Sequence, residues 1–281
     1  MEPQVMQEAI EWAEDKPEVL KTRPVAIASD LQAGGQGVIL MAGPCSVESY
    51  EQTYVVAAEV ARLGGRVLRG GAYKPRTSPY VFQGLGQKGL EILRAVADEF
   101  GLLVVTEAMS VEELPLVVEY TDIVQIGSRN MQHYPILWAA GEQDKPVLLK
   151  RGFMATADEW LKAAEHIASR GNERILLCER GIRTFEPATR NTLDVSVIPL
   201  VKQLSPFPVI ADPSHATGHT SLVTAAARAA VAAGADGLLV EFHHDPSLAL
   251  SDGDQALPLA SMGRFRDELG AVAMAVGRTL V

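Results

Sequence analysis

From residue 38 onward, short apolar runs alternate with longer stretches of helical period. The runs are "VILMAGPCS" (38–46), "RVLRGGAYK" (66–74), "LLVVTEAM" (102–109), "DIVQIG" (122–127), "PVLLKRG" (146–152), "RILLCERG" (174–181), "PVIADPSH" (208–215) and "GLLVEFHH" (237–244). Between them lie helix candidates such as "YEQTYVVAAEVARLGG", "GLEILRAVADEFG", "TADEWLKAAEHIASRG" and "SLVTAAARAAVAAGA", and "LASMGRFRDELGAVAMAVGR" follows the last run. Several end in glycine, which suits a left-handed C-terminal cap, and Thr156 followed by Glu159 reads as a capping box. Strands that are continuously apolar, not alternating, predict a sheet buried on both faces, hence parallel with helical crossovers. Eight such units in roughly 245 residues match an α/β fold, the (β/α)8 TIM barrel, for which about 250 is typical. An open doubly wound sheet is second, since no GxGxxG follows the first strand.

Residues 1–37 stand outside this rhythm. "MQEAIEWAEDKPEVL" reads as a helix and "QAGGQG" as a flexible join, so the division expected is an extension at 1–37 and a catalytic barrel at 38–281. The extension is too short to fold alone and is expected to pack on the barrel or on a neighbouring subunit.

Composition narrows the function. The formal net charge of −10 disfavours nucleic-acid binding, which needs a broad basic face. Two cysteines, Cys45 and Cys178, fit a reducing compartment. The acidic N-terminus lacks the features of a signal peptide, and no apolar run approaches the ~20 residues that span a bilayer. A soluble cytoplasmic protein is expected.

In each apolar run the reactive residues come last: Cys45; Arg69 and Lys74; Glu107; Gln125, with Arg129 just after; Lys150; Glu179 and Arg180; Asp212 and His215; then Glu241, His243 and His244. In a barrel these endings converge on the C-terminal face, where active sites of this fold are built. Polarity rising as strands leave the core explains one or two endings, not eight. One part of the set is cationic: Arg69, Lys74, Arg76, Arg129, Lys150 and Arg180. Such a cluster repels itself unless an anion occupies it, and guanidinium forks suit phosphate or carboxylate. The other part is Cys45, His215, Glu241 and an acid of "LSDGDQAL", Asp252 or Asp254, a mixed donor set for a divalent transition metal. Cys45 alone also fits a buried hydrophobe or a nucleophile. Blander roles are expected elsewhere: surface for His133 and His166, support near the mouth for His219, His243 and His244, and packing for Cys178, Trp12, Trp138 and Trp160.

With these residues assembled, the chain resembles the 3-deoxy-D-arabino-heptulosonate 7-phosphate (DAHP) synthases, and most the compact bacterial and archaeal type I-beta subclass. The likeness runs from about residue 38 to the end through "AGPCSVES", "RGGAYKPRTSPYVFQGLG", "QIGSRNMQ", "LLKRGFMAT", "CERGIRTFE", "IADPSHATGH" and "LVEFHHDPSLALSDGDQAL". The resemblance implies one divalent ion (Mn, Fe, Co, Zn or similar) held by Cys45, His215, Glu241 and Asp252. It implies phosphoenolpyruvate bound by Arg69, Lys74, Arg129, Lys150 and Arg180. It implies erythrose 4-phosphate bound at Lys74, Pro75, Arg76, Thr77 and Ser78. Lys74, His215 and Cys45 are then the expected catalytic residues, with Lys74, His215, a metal-bound water or Glu107 moving protons. A homodimer or homotetramer is implied, without a fused regulatory domain.

The resemblance makes the expected reaction an aldol-like condensation of the two substrates, with loss of phosphate, at the head of the shikimate pathway. Two alternatives stand beside it. The 3-deoxy-D-manno-octulosonate 8-phosphate synthases share barrel and chemistry but read K-A-N-R where this chain reads "KPRTS". A non-catalytic phosphosugar-binding barrel would need the cations but not the metal set.

Overall fold

The computed structural model describes residues 21–76 and 78–281. The helix expected near the N-terminus, Trp12 and Thr77 lie outside the described residues. A hairpin of β1 (Val25–Ala28) and β2 (Leu31–Ala33) comes first. Eight parallel strands follow: β3 (Gly37–Gly43), β4 (Val67–Arg69), β5 (Leu103–Ala108), β6 (Ile123–Ile126), β7 (Val147–Lys150), β8 (Ile175–Glu179), β9 (Val209–Ala211) and β10 (Gly237–His243). Each pairs with the next in chain order, and β10 closes on β3 from Gly237 opposite Ile39 to Glu241 opposite Gly43. This is the (β/α)8 barrel that the run pattern predicts.

Successive strand residues point to opposite faces, and here both faces are buried. Ile39, Met41, Val67, Val105, Ile123, Leu148, Leu176, Cys178, Ile210 and Leu239 fill the barrel interior as one cluster. Their strand neighbours Val38, Leu40, Leu68, Val104, Val124, Leu149, Leu177 and Val240 face the helices in another. Each such side chain, fully buried, contributes about 1.5–3 kcal/mol before entropy is counted. Cys178 and Trp160 belong to this packing, as expected, and both are fully buried.

The hairpin corrects the flexible join. Gln32 and Ala33 lie in β2, leaving only Gly34–Gln36 before β3. Val25, Ile27, Leu31 and Ala33 alternate with exposed residues and join the interior cluster. The hairpin therefore plugs the N-terminal end of the barrel.

The five helix candidates appear as α1 (Tyr50–Arg62), α2 (Gln87–Phe100), α5 (Ala157–Ala168), α8 (Thr220–Ala232) and α9 (Met262–Ala275). The capping box of α5 is complete: the Glu159 backbone donates to Thr156 Oγ1 at 3.2 Å, and the Thr156 backbone donates to Glu159 at 2.8 Å. Gly101 closes α2 in the left-handed region, φ 64°. The other crossovers are short: α3 (Leu114–Tyr120), α4 (Tyr134–Gly141) and α6 (Val197–Leu204) carry a proline near the start and too few turns to show a period. "PVIADPSH" is not one strand; β9 stops at Ala211, and α7 (Pro213–Thr217) begins at once with Asp212 as its cap.

Candidate active site

The reactive residues continue the inward-facing rows of the barrel. Two residues past an interior side chain stand Arg69 after Val67, Glu107 after Val105, Gln125 after Ile123, Lys150 after Leu148, Arg180 after Cys178, Asp212 after Ile210 and Glu241 after Leu239. A period of two thus carries each strand's apolar row into the mouth as charge. Glu179 has the opposite parity. It turns outward and pairs with Arg151 at 2.9 Å, with both side chains buried, so it belongs to the framework and not to the mouth. Two glycines let the rows close: a Cβ on Gly43 would lie 1.9 Å from the Arg69 carbonyl oxygen, and one on Gly127 would lie 2.0 Å from the Glu107 carboxylate.

Cys45, His215, Glu241 and Asp252 each offer a donor atom, and all four lie within 4.8 Å of one another. His215 Nε2 is 3.3 Å from Glu241 Oε1 and 3.8 Å from Asp252 Oδ2, and Cys45 Sγ donates to Asp252 Oδ2 at 3.3 Å. One thiol, one imidazole and two carboxylates at this spacing fit a divalent transition metal. Asp254 is not in the group. His215 is aimed by Asp212, whose carboxylate accepts the His215 backbone N–H at 2.9 Å and meets Nδ1 at 2.7 Å. This fixes the ring with Nε2 toward the other donors. Asp252 adopts φ 51°, the left-handed region unusual for a residue with a side chain.

Electrostatics suit a cation. Burial pushes the Cys45 thiol up to about 12, Glu241 adding to the effect and Lys74 opposing it. Burial pulls His215 down to about 4 against Asp212 and Glu241, leaving a neutral imidazole, the form that ligates. Burial would raise Glu241 and Asp212, but the positive neighbours prevail and hold both carboxyls down, Asp212 well below its usual range. Glu107 is the exception: burial raises it in spite of Lys150 and Lys74.

Four of the cations, Arg69, Lys74, Arg76 and Lys150, do not form a group apart, as the sequence suggests; they interlock with the acids and with Cys45. Arg69 donates to Glu241 at 2.9 Å and to the Pro44 carbonyl at 2.8 Å, facing the donor cluster. Lys74 Nζ donates to Cys45 Sγ at 2.9 Å, Lys150 pairs with Asp212 at 2.5 Å, and Arg76 with Asp252 at 3.4 Å. Beside them opens a cavity of about 280 Å³, bordered by Lys74, Pro75, Arg76, Ser78, Arg129, Lys150, Arg180, His215 and Asp252. Of the remaining histidines, His133 and His219 are exposed, and His166 accepts from Trp138 Nε1 at 3.2 Å. Buried His243 lies 3.5 Å from Glu48, whose other carboxylate oxygen accepts the Leu250 backbone N–H at 2.9 Å, so it supports the loop carrying Asp252. His244 stacks on His243, with ring centroids 4.5 Å apart.

Several residues carry no role in the sequence reading. Asp212 was legible as an inward strand end. Arg190, Gln255 and Phe153 were not, because loop packing places them. Gln255 donates to Glu241 Oε2 at 2.6 Å and accepts from Arg190 at 2.8 Å, while Arg190 also reaches Asp252 at 3.4 Å. This bridge braces the two carboxylates of the donor cluster against each other.

The sequence profile of the DAHP synthetase I family matches residues 20–276. The chain belongs to this family. The family match includes the hairpin as well as the barrel. A phospho-2-dehydro-3-deoxyheptonate aldolase of Thermotoga maritima is 53% identical over 248 residues, 88% of this chain and 73% of that protein. The crystal structure of the DAHP synthase of that organism superposes with a TM-score of 0.90 at 50% identity, covering 93% of this chain and 76% of the other. A truncated form of the same enzyme gives 0.87 at 47% identity, with 93% and 95% covered. A 2-dehydro-3-deoxyphosphooctonate aldolase of Syntrophotalea carbinolica is more distant, 32% identical over 94% of this chain and 99% of its own.

Proposed function

We propose that the chain is a 3-deoxy-7-phosphoheptulonate synthase. It condenses phosphoenolpyruvate with D-erythrose 4-phosphate to DAHP and inorganic phosphate, the first step of the shikimate pathway and of aromatic amino acid and chorismate biosynthesis. The observation that carries the reading is that His215 and Asp252 belong both to the donor cluster and to the wall of the cationic cavity. A divalent ion held by Cys45, His215, Glu241 and Asp252 supplies Lewis-acid polarisation and a template for orienting the aldehyde.

The chain's own groups do the rest. Arg129, Lys150 and Arg180 neutralise the phosphate and carboxylate of phosphoenolpyruvate, with Arg69 and Lys74 at the inner end. Pro75, Arg76, Thr77 and Ser78, with Lys74, hold erythrose 4-phosphate. C3 of phosphoenolpyruvate attacks the aldehyde carbon, water adds at C2, and the phosphohemiketal releases phosphate. Lys74 borders both the donor cluster and the cavity and gives its proton to the developing alkoxide. Glu107, raised by burial and accepting from Gln125 at 3.0 Å, takes the proton of the incoming water. Residues 38–281 are the catalytic barrel and 1–37 its extension, in a cytoplasmic homodimer or homotetramer, which light scattering measures. Among the described residues no helix is long and apolar enough to cross a membrane.

The "KPRTS" segment and the higher identity to the heptonate aldolase favour the four-carbon aldehyde. Incubation with phosphoenolpyruvate and either erythrose 4-phosphate or arabinose 5-phosphate, followed by phosphate assay, tests this. Release with erythrose 4-phosphate is expected. Release only with arabinose 5-phosphate would make the chain an octulosonate synthase, and none with either would leave a binding barrel.

A further inference from the structure

Phe153, in the turn after β7, forms part of the cavity wall. Three guanidinium carbons face its ring: Arg180 at 4.7 Å from the centroid, Arg183 at 5.0 Å and Arg129 at 5.4 Å. They arrive from two directions, Arg129 from the turn after β6 and the other two from the loop after β8. The Arg183 backbone N–H donates to the Phe153 carbonyl at 2.7 Å and ties that loop to the ring.

Among the described residues, none of these three arginines has a carboxylate within ion-pair distance, whereas Arg69, Arg76, Lys150 and Arg190 each do. Arg180 is in addition buried. Like charges gathered around one point repel, and without a counter-charge their side chains would spread into solvent. An aromatic face attracts a guanidinium yet accepts none of its in-plane hydrogen bonds. A carboxylate here would hold the arginines as well but would occupy their donors and cancel their charge. A phenyl ring fixes them and leaves the N–H forks free for an anion.

We infer that Phe153 is a positioning residue that preorganises Arg129 and Arg180, and with them Arg183, as one phosphate-binding set. The inference rests on the proposed function for the identity of the substrate, and on the ring geometry alone for the anion. Replacing the ring removes the attraction but no hydrogen bond to the substrate, so the effect falls on binding before chemistry.

The test combines Phe153→Leu with a graded series in which residue 153 is 4-fluoro-, 3,5-difluoro- or 3,4,5-trifluorophenylalanine. These are nearly isosteric with the native ring, so folding is preserved while the ring's negative face fades. In the assembled, metal-loaded enzyme, KM for phosphoenolpyruvate is expected to rise by about tenfold in Phe153→Leu, with kcat changed by less than about threefold. It is expected to rise stepwise along the fluorine series. Affinity for inorganic phosphate, measured by calorimetry, should weaken in the same order. A flat fluorine series, or unchanged KM and phosphate affinity in Phe153→Leu, would overturn the assignment. Should the parent enzyme release no phosphate from its substrates, the proposed function fails, and the phosphate titration still decides the role of the ring.

Discussion

Cys45 and His215 meet the same requirement from opposite sides. Burial keeps the thiol protonated, with Asp252 taking its hydrogen bond, and keeps the imidazole neutral by discouraging a second proton. Cys45 would hold an ion only as a thiolate, so metal affinity is expected to depend on the sulfur and on the loss of its proton. Cys45→Ser is expected to weaken metal binding and turnover together while leaving the unfolding midpoint near the parent value. Unchanged metal affinity in a chelator competition would remove Cys45 from the ligand set. Asp212→Asn keeps the shape but loses the negative partner of His215 and Lys150. Metal affinity or activity should fall about 10–100-fold, as is usual when a partner of a ligating histidine is lost. The residue types of the donor cluster were legible from strand endings. The choice of Asp252 over Asp254 came from the family resemblance and not from the strand pattern, and the bridge from Gln255 to Arg190 was not legible at all, because both depend on how the loop after β10 folds over the mouth.

Strands were the most legible elements, because a barrel strand must be apolar on both faces and its polar end cannot be mistaken. The same chemistry blurred their limits: Pro44, Gly70 and Pro213 stop β3, β4 and β9 well before the apolar-to-polar run ends. The short helices α3, α4 and α6 escaped because seven or eight residues hold barely two turns. The hairpin escaped because glycines beside it suggested a linker, although Leu31 and Ala33 alternate as a strand should. Leu31 is buried against the barrel floor, at the end opposite the mouth. Leu31→Ala is expected to cost about 2–4 kcal/mol of stability, read from denaturant unfolding, with KM for phosphoenolpyruvate unchanged. A loose hairpin would show no loss of stability. Arg151, buried between Glu179 and Asp194 on the outer side of the strands, has the same standing.

The molecule as a whole carries a formal charge of −10, yet it gathers most of its buried cations at one rim, where Arg69 pairs with Glu241 and Arg76 with Asp252 of the donor cluster, and Lys150 pairs with Asp212 behind His215. This arrangement makes the metal-free protein sensitive to acid. His215 has an ordinary value of 6.5 in an unfolded chain and about 4 when folded, so between those values the unfolded state binds a proton that the folded state refuses. Stability of the metal-free protein should therefore fall as pH drops from about 6.5 toward about 4. Glu107 and Glu179, raised by burial, act in the opposite sense, so the slope is best read as the difference between the parent and His215→Gln. Equal slopes in urea midpoints would show that His215 is not held neutral. The proposed reaction requires one ion, seated among Cys45, His215, Glu241 and Asp252, to serve the cationic cavity beside it. Activity of chelator-stripped protein, followed as a divalent metal is added back, decides whether it does. The expected curve starts near zero, rises linearly and breaks at one equivalent per chain. Full turnover in the stripped protein would contradict the claim.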